Sequence, residues 1–366
     1  MRQVTRSCTE RGFTRLGYNR RMSSADSRPF RWGILGTARI VRRLVEPLRS
    51  QGHALVAVAS RDRGRAEAFA RDWQIPRAHG AYDDLLADPD VDAVYIPLPN
   101  ALHAAWTINA AAAGKHVLCE KPLALTVGEV EAMGEAAARH GVVVAEAFMY
   151  RHHPVTLAAR QLVLEGAVGS VRHLRGAFTF LLTGDHNVRL DPRLGGGGLW
   201  DIGCYPVSWM RYVLGADPLE VSATIVTGST GVDVAAAATL RFPGDILGQF
   251  DCGFTAPFRT EMQVVGSEGV LDVPHPFKPG PTEVIVVRRG DETTEVPIEG
   301  GPLYQLQVDD LRRAARESVP ARVLPSESRG NVATLVALYE SARTGRVIGV
   351  QDSGIGKREP GTKNQE

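Results

Sequence analysis

The feature that most limits the fold of this chain is a regular alternation of short apolar runs and helical segments between residues 30 and 146. The apolar runs predict strands over residues 30–35, 54–59, 92–96, 116–118 and 142–146. The segments between them predict helices over residues 38–49, 65–72, 101–113 and 126–140, the last beginning with a capping box at Thr126. Strands that are apolar throughout indicate a parallel sheet covered by helices on both faces, with ligands bound at the edge formed by the strands' C-terminal ends.

The pattern changes after residue 150. Helices are predicted over residues 155–165, 303–317 and 329–344. Runs of alternating apolar and polar residues predict strands over 171–180, 219–227, 235–242, 248–254, 262–265 and 283–288. The predicted fold class is therefore α/β, with an N-terminal Rossmann domain over residues 30–150 and a C-terminal α+β domain over 151–350 whose open sheet is mainly antiparallel.

Composition narrows the function classes. The 366 residues have a formal net charge of +1 and no basic stripe, so we expect neither nucleic acid nor a membrane as partner. Four cysteines stand far apart without a CxxC pair, which predicts no disulfide framework and no structural zinc, and fits a reducing cytoplasm.

The two ends of the chain differ from the rest. Residues 1–29 carry seven arginines and two acids without apolar periodicity, and we expect a disordered extension. The Arg20-Arg21 pair lacks the apolar stretch of an export signal, and Met22 is a candidate for the biological start. We expect a flexible tail over residues 351–366.

The turn between the first strand and the first helix predicts a dinucleotide site. Such a site needs a tight turn, a bare backbone for the pyrophosphate and a small residue where helix meets strand. Gly36 and Ala38 meet the last two needs, with Thr37 between them, although the match to GxGxxG is imperfect. At the end of the second strand, Ser60 and Arg61 stand where an NAD site places a carboxylate. A hydroxyl and a guanidinium suit a 2′-phosphate, so we predict NADP, with NAD left possible by Asp62.

Two further loops follow apolar strands and lie at the same predicted edge. The first carries Leu98, Pro99, Asn100 and His103, which we assign to cofactor binding. The second carries Glu120 and Lys121 ahead of a proline, which holds the lysine out of the helical region and makes its peptide bond a candidate for the cis form. We assign both of its side chains to the cofactor site as well.

Three motifs in order resemble the Gfo/Idh/MocA family, over about residues 30–350. These motifs are Gly114-Lys-His-Val-Leu-Cys-Glu-Lys-Pro-Leu123, Glu146-Ala-Phe-Met-Tyr-Arg-His-His-Pro154 and Gly195-Gly-Gly-Gly-Leu-Trp-Asp-Ile-Gly203. The resemblance implies that Lys121 is the catalytic lysine beside the substrate oxygen and that Asp201 is an active-site carboxylate. It also implies a homodimer or homotetramer formed through the open sheet face.

Tyr205 stands where inositol dehydrogenase-like members have histidine, and so resembles the glucose–fructose oxidoreductase and dihydrodiol dehydrogenase branch. We predict Tyr205 as acid and base, Lys121 as the cation that lowers the tyrosine pKa and contacts the substrate oxygen, and Asp201 as the group that orients them. Lys121 as the proton donor remains an alternative. The substrate would be a sugar, keto-sugar or cyclic diol.

Two arginines complete the predicted site. Arg151 is assigned to the cofactor and Arg189, in the loop from Asp185, to the substrate. The neighbouring pair His152 and His153 has no carboxylate at ligand spacing, and we predict no metal. Other functions of the same fold are a glycosidase that recycles NAD and a non-catalytic dinucleotide sensor; a short-chain dehydrogenase is disfavoured because its Tyr-x-x-x-Lys is missing near the fifth strand.

Overall fold

The computed structural model describes residues 28–184 and 187–350. The predicted N-terminal extension up to residue 27, with Arg20, Arg21 and Met22, and the predicted tail over 351–366 lie outside the described residues. Asp185 and His186 lie outside them too.

The first layer is a six-stranded parallel sheet in the order β3-β2-β1-β4-β5-β6. Its strands are β1 (Phe30–Leu35), β2 (His53–Ala59), β3 (Arg77–His79), β4 (Ala93–Ile96), β5 (His116–Cys119) and β6 (Val144–Glu146). Its helices are α1 (Arg63–Asp72), α2 (Tyr82–Leu86), α3 (His103–Ala112) and α4 (Val127–His140). This strand order is that of a Rossmann domain, which confirms the predicted parallel sheet, and the capping box of α4 is present at Thr126.

One predicted helix is wrong. Residues 38–49 form two short 3-10 turns, Arg39–Arg43 and Pro47–Arg49, instead of one α-helix. Pro47 has no N–H to donate and its ring clashes with the preceding turn, so a helix cannot continue through it. The apolar residues that suggested a helix, including Leu44 and Leu48, are nevertheless fully buried.

The second layer is a nine-stranded sheet in the order β14-β13-β12-β11-β7-β10-β9-β8-β15. Its strands are β7 (Val171–Thr179), β8 (Glu220–Thr227), β9 (Asp233–Phe242), β10 (Ile246–Gly253), β11 (Arg259–Gly266), β12 (Val270–Val273), β13 (Thr282–Arg289), β14 (Glu292–Glu299) and β15 (Ile348–Gly349). Among the strand pairs that the structure describes in this sheet, only β7–β10 is parallel, so the predicted mainly antiparallel sheet is confirmed.

The helices described after residue 150 are α5 (Pro154–Leu164), α6 (Cys204–Leu214), α7 (Leu303–Glu317) and α8 (Pro325–Thr344). Helix α7 follows β14 of the second sheet in sequence, but its buried face packs into the core of the first layer. Val308, Leu311 and Ala314 belong to the same apolar cluster as Trp32 and Leu48. The chain therefore returns to the parallel sheet after β14 and adds the last strand of the second sheet, β15, only afterwards.

Within residues 28–184 and 187–350, no helix is long and apolar enough to cross a membrane. Cys119, Cys204 and Cys252 are buried free thiols.

Candidate active site

The turn after β1 leaves its backbone bare at the carboxyl edge of the sheet. Gly36 has a φ of 113°, a conformation that side chains disfavour, and its N–H donates to the carbonyl of Ala59 at 2.8 Å. A Cβ on Gly36 would stand 3.0 Å from the Leu98 Cδ2 atom. Thr37 and Ala38 follow as half-buried residues. This turn leaves the backbone open to the close approach of a dinucleotide pyrophosphate, and the binding of the pyrophosphate here stays a prediction.

The end of β2 offers a cation and a hydroxyl. The carboxylate of Asp62 accepts from the backbone N–H of Arg65 at 3.0 Å and so caps α1, while its own N–H donates to the hydroxyl of Ser60 at 3.3 Å. Arg61 is exposed and interacts with Tyr82: burial raises the pKa of this phenol, and the guanidinium opposes the rise. Because Asp62 is engaged in capping, the residues here suit a 2′-phosphate better than a 2′-hydroxyl.

The loop after β4 joins the two layers. The amide of Asn100 donates to the carbonyl of Gly195 at 2.8 Å, so this loop contacts the glycine run, residues 195–198, of the second layer. Leu98 is buried beneath Gly36, and Pro99 precedes a short 3-10 turn. These residues lie at the predicted edge.

His103, predicted to bind the cofactor, lies below that edge. Its ring is fully buried, with Nδ1 2.8 Å from the carbonyl oxygen of Pro122 and Nε2 2.8 Å from that of Leu98. Burial lowers the pKa of this imidazole. Both ring nitrogens are occupied by protein carbonyls, so His103 ties two active-site loops together and has no nitrogen left for a ligand.

Lys121 and Asp201 form the centre of the site. Lys121 follows β5, precedes a cis peptide bond to Pro122, and donates from Nζ to the backbone oxygen of Asp201 at 2.6 Å and to its Oδ1 at 2.9 Å. The other carboxylate oxygen of Asp201 accepts from Arg189 Nε at 2.6 Å. The side chains of Lys121 and Asp201 are only 12% and 13% exposed, so this pair is largely shielded from water, whereas Arg189 is 39% exposed.

Asp201 and the two cations of this network stabilise one another's charged forms. Burial alone would raise the pKa of Asp201, but Lys121 and Arg189 outweigh it and lower that pKa to about 2. Burial alone would lower the pKa of Lys121, but its acidic neighbours, Asp201 first and then Cys204 and Glu120, together outweigh burial and raise it. At neutral pH the site therefore holds an ammonium and a carboxylate.

Glu120 stands next to this pair and faces the parallel sheet. Its Oε1 accepts from the hydroxyl of Tyr95 at 2.5 Å. Burial raises the pKa of Glu120, and the neighbouring Lys121 opposes the rise.

The glycine run explains how Asp201 reaches Lys121. Gly197 has a φ of 131°, and a Cβ there would meet the Asp233 Oδ1 atom at 2.2 Å. Asp233 also accepts from the N–H of Leu199 at 2.7 Å and from the hydroxyl of Tyr339 at 2.7 Å. Only glycine lets the chain pass this carboxylate and enter the π-helical turn Leu199–Gly203 that carries Asp201.

Tyr205 lies beside the lysine, inside a cage of aromatic rings. Lys121 Nζ is 5.2 Å from the centre of its ring, and the ring of Phe178 is 5.1 Å away. The hydroxyl of Tyr205 contacts the sulfur of Met149 at 3.7 Å. Burial raises the pKa of Tyr205 well above its ordinary value. The predicted lowering of this pKa by Lys121 is therefore wrong, because the ammonium faces the ring and burial dominates.

Arg151 is not in the cleft, contrary to the sequence prediction. Its guanidinium binds both carboxylate oxygens of Glu327, at 2.6 and 2.8 Å, and packs 3.9 Å from the ring centre of Tyr212. His152 contacts Asp310, and His153 is fully buried. The described residues contain no group of three or more His, Cys, Asp or Glu side chains placed to hold a metal ion.

Three residues near the site were missed by sequence reasoning: Arg43, Lys278 and Tyr304. Loss of hydration lowers the pKa of Lys278, and Lys121 lowers it further. Burial, followed by Glu120, raises the pKa of Tyr304 to about 12, while Arg43 opposes the rise. Lys278 precedes Pro279, which is the same signal that singled out Lys121, but its loop follows no apolar parallel strand.

Comparison with known proteins identifies the family of this chain. Residues 30–148 match the model of an oxidoreductase family with an NAD-binding Rossmann fold, and residues 156–272 match the GFO/IDH/MocA C-terminal domain. The chain is 38% identical to a D-xylose 1-dehydrogenase (NADP(+)) of Haloferax volcanii, over 87% of this chain and 98% of the relative. It is 36% identical to a trans-1,2-dihydrobenzene-1,2-diol dehydrogenase of Danio rerio, over 88% of this chain and 99% of the relative.

Solved structures of the same fold support this assignment. A 3-ketoreductase from Actinomadura kijaniata, in complex with NADP and TDP-benzene, superposes with a TM-score of 0.81 at 29% identity, covering 86% of this chain and 98% of that one. Because both family models match in chain order and relatives are similar along most of their length, the protein belongs to the Gfo/Idh/MocA family of oxidoreductases, as its motifs predict.

Proposed function

We propose that this protein transfers hydride between NADP(H) and a hydroxyl or carbonyl carbon of a sugar, keto-sugar or cyclic diol. The observation that carries the proposal is the ammonium of Lys121, held by Asp201 at the carboxyl edge of a Rossmann sheet. The NADP named for a xylose dehydrogenase relative and for a bound ketoreductase structure supports the cofactor, and the relatives' names support the substrate class.

The residues at the sheet edge suit NADP. The Gly36–Ala38 turn would hold the pyrophosphate, Ser60 and Arg61 the 2′-phosphate, and the loop 98–100 the nicotinamide end. When bound, the nicotinamide supplies or accepts the hydride. Glu120, which accepts from the hydroxyl of Tyr95, would stand beside the nicotinamide.

Lys121 would contact the substrate oxygen. Two of the three donors on its ammonium are used by Asp201, which leaves one for the substrate. Asp201 keeps the lysine charged, and Arg189, which shares this carboxylate, would contact substrate hydroxyls. An ammonium at this position stabilises negative charge on the oxygen as the hydride moves.

Tyr205 would exchange the proton with the substrate oxygen. Its raised pKa keeps the phenol protonated at neutral pH, which suits an acid in the reducing direction. This role requires the hydroxyl to exchange the weak contact with Met149 for one with the substrate. Lys121 remains the alternative proton donor.

The test is a panel of aldoses, keto-sugars, inositols and dihydrodiols, assayed by nicotinamide absorbance with NADP and NAD in parallel. We expect turnover with NADP that Lys121→Met and Tyr205→Phe each lower by at least about 10²-fold, while NADP still binds. Wild-type turnover in both variants would refute the assigned roles. Failure of every substrate, with NADP tightly bound on purification, would refute the function.

We also propose a homodimer or homotetramer formed through the open face of the nine-stranded sheet. Helices α5, α6 and α8 pack against this sheet. Arg175, Gln249 and Glu261 of the sheet line a concavity with a volume of about 1030 Å³. Sedimentation of the native protein tests this oligomer, with Gln249→Arg as the disrupting variant.

The buried free thiols support the cytoplasm as the compartment of this protein.

A further inference from the structure

A second cavity lies away from the active site, where helices α5, α6, α7 and α8 meet. It has a volume of about 680 Å³. Its lining contains five arginines, which are Arg151, Arg160, Arg211, Arg313 and Arg322. None of the proposed catalytic residues lines it. The proposed function therefore leaves this cavity without a role.

The arginines outnumber the acids. The lining holds three carboxylates, Asp217, Asp310 and Glu327. Each already accepts from one arginine: Asp217 from Arg211 at 2.6 Å, Asp310 from Arg313 at 2.7 Å, and Glu327 from Arg151 at 2.6 Å. Two positive charges remain in excess, and we assign them to Arg160 and Arg322.

Several guanidinium donors of this cavity are buried without an acceptor among the described residues. These donors are Arg151 Nε, Arg160 Nε and Arg211 Nη1. Arg211 is the clearest case: its side chain is 8% exposed, and its Nη1 is 3.8 Å from the nearest Glu327 oxygen, too far for a hydrogen bond. Buried donors in native proteins nearly always have a partner, so an acceptor is missing here.

The surrounding backbone preserves this arrangement. A Cβ on Gly330 of α8 would stand 2.2 Å from Arg211 Nη2 and 2.6 Å from Asp217 Oδ1. Arg160 and Arg151 both pack against Tyr212, with guanidinium carbons 4.9 and 3.9 Å from its ring centre. Arg151, Arg160 and Arg211 are thus held in place by packing, while Arg322 lies at the exposed rim of the cavity.

We propose that this cavity binds a phosphate group, free or as the monoester of a small organic molecule. Guanidinium forks match the oxygens of phosphate, and a phosphate monoester carries a charge near −2 at neutral pH, equal to the excess of arginine. The cavity volume exceeds that of a phosphate ion, and Gly215, Ala216 and Tyr212 leave an apolar wall for an organic moiety.

The test is calorimetric titration of the NADP-saturated protein at constant ionic strength, so that the phosphate subsites of the cofactor are filled. Inorganic phosphate and phenyl phosphate, which lies outside the proposed substrate class, are titrated separately, with phenol as the neutral control. We expect saturable binding of at least one anion and none of phenol. Tighter binding of the ion assigns the site to free phosphate, and tighter binding of the ester assigns it to a phosphorylated metabolite.

Variants locate the binding. Arg160→Gln and Arg322→Gln should each raise the dissociation constant of the bound anion by about tenfold, the usual effect of losing one charge-assisted hydrogen bond. Arg322 has an exposed side chain, so its loss does not threaten folding. Arg343→Gln is the matched control, because Arg343 is an exposed arginine of α8 paired with Glu340. Absence of saturable binding, or an unchanged dissociation constant in both cavity variants, would overturn the proposal.

Discussion

Glu146, at the end of β6, should make the stability of this protein depend on pH around neutrality. Its carboxyl group is 1% exposed and bridges two elements: one oxygen accepts from the N–H of Leu123, two residues after Lys121, and the other from the hydroxyl of Ser328 at the start of α8. Burial raises the pKa of Glu146 from 4.5 to about 7, although both hydrogen bonds oppose the rise.

The direction of the effect follows from this raised pKa. The folded protein holds the proton of Glu146 more tightly than the unfolded chain does, so this group favours folding below about pH 4.5 and loses that contribution as pH rises through 7. Glu146→Gln keeps an oxygen for Leu123 and removes the ionisation. The free energy of unfolding of the variant relative to wild type should therefore rise by about 2.5 kcal/mol between pH 5 and pH 8.

The assay is urea unfolding of both proteins at several pH values between 5 and 8, followed by tryptophan fluorescence. Because all other groups titrate alike in both proteins, their difference isolates Glu146. Glu131→Gln is the matched control, since Glu131 is an exposed residue of α4 that forms an ion pair with Arg329 of α8. A difference between Glu146→Gln and wild type that stays constant with pH would refute the reasoning.

Four further outcomes test the site. Asp201→Asn should lower kcat/KM by about 10²-fold and move the alkaline limb of the pH–rate profile to lower pH, because Lys121 loses the carboxylate that raises its pKa. Gly36→Ala should weaken NADP binding by about tenfold in a fluorescence titration, since the turn requires positive φ. Arg61→Ala should lower the ratio of kcat/KM with NADP to that with NAD by about tenfold. Arg151→Lys should lower the melting temperature and leave the NADP dissociation constant unchanged, because this side chain lies outside the cleft.

The parallel sheet and the position of the site were predictable because both follow from short-range patterns. Buried parallel strands are apolar throughout, and the residues that follow them must lie at one edge. This reasoning found Gly36, Arg61 and Lys121. The family motifs added Asp201 and Tyr205, which no local pattern would have placed next to Lys121.

Apart from the helix interrupted at Pro47, the errors concern residues whose surroundings are set by distant parts of the chain. Arg151 looks like a cleft residue in sequence because its partner, Glu327, is 176 positions away. Helix α6 was missed because residues 204–211 are buried on every side and so show no amphipathic period. The direction of the Tyr205 hydroxyl and the position of Lys278 depend on how the two layers meet, which periodicity does not encode.

The return of α7 to the first layer has a consequence for synthesis of the protein. A nascent chain that has emerged only through β6 lacks Val308, Leu311 and Ala314, so part of the apolar surface around Trp32 stays exposed to water. The nucleotide-binding half is therefore finished only when nearly the whole polypeptide has left the ribosome. A gene fragment cut at the end of β6 should yield an aggregation-prone product, and an excised half would need α7 grafted back to stand alone.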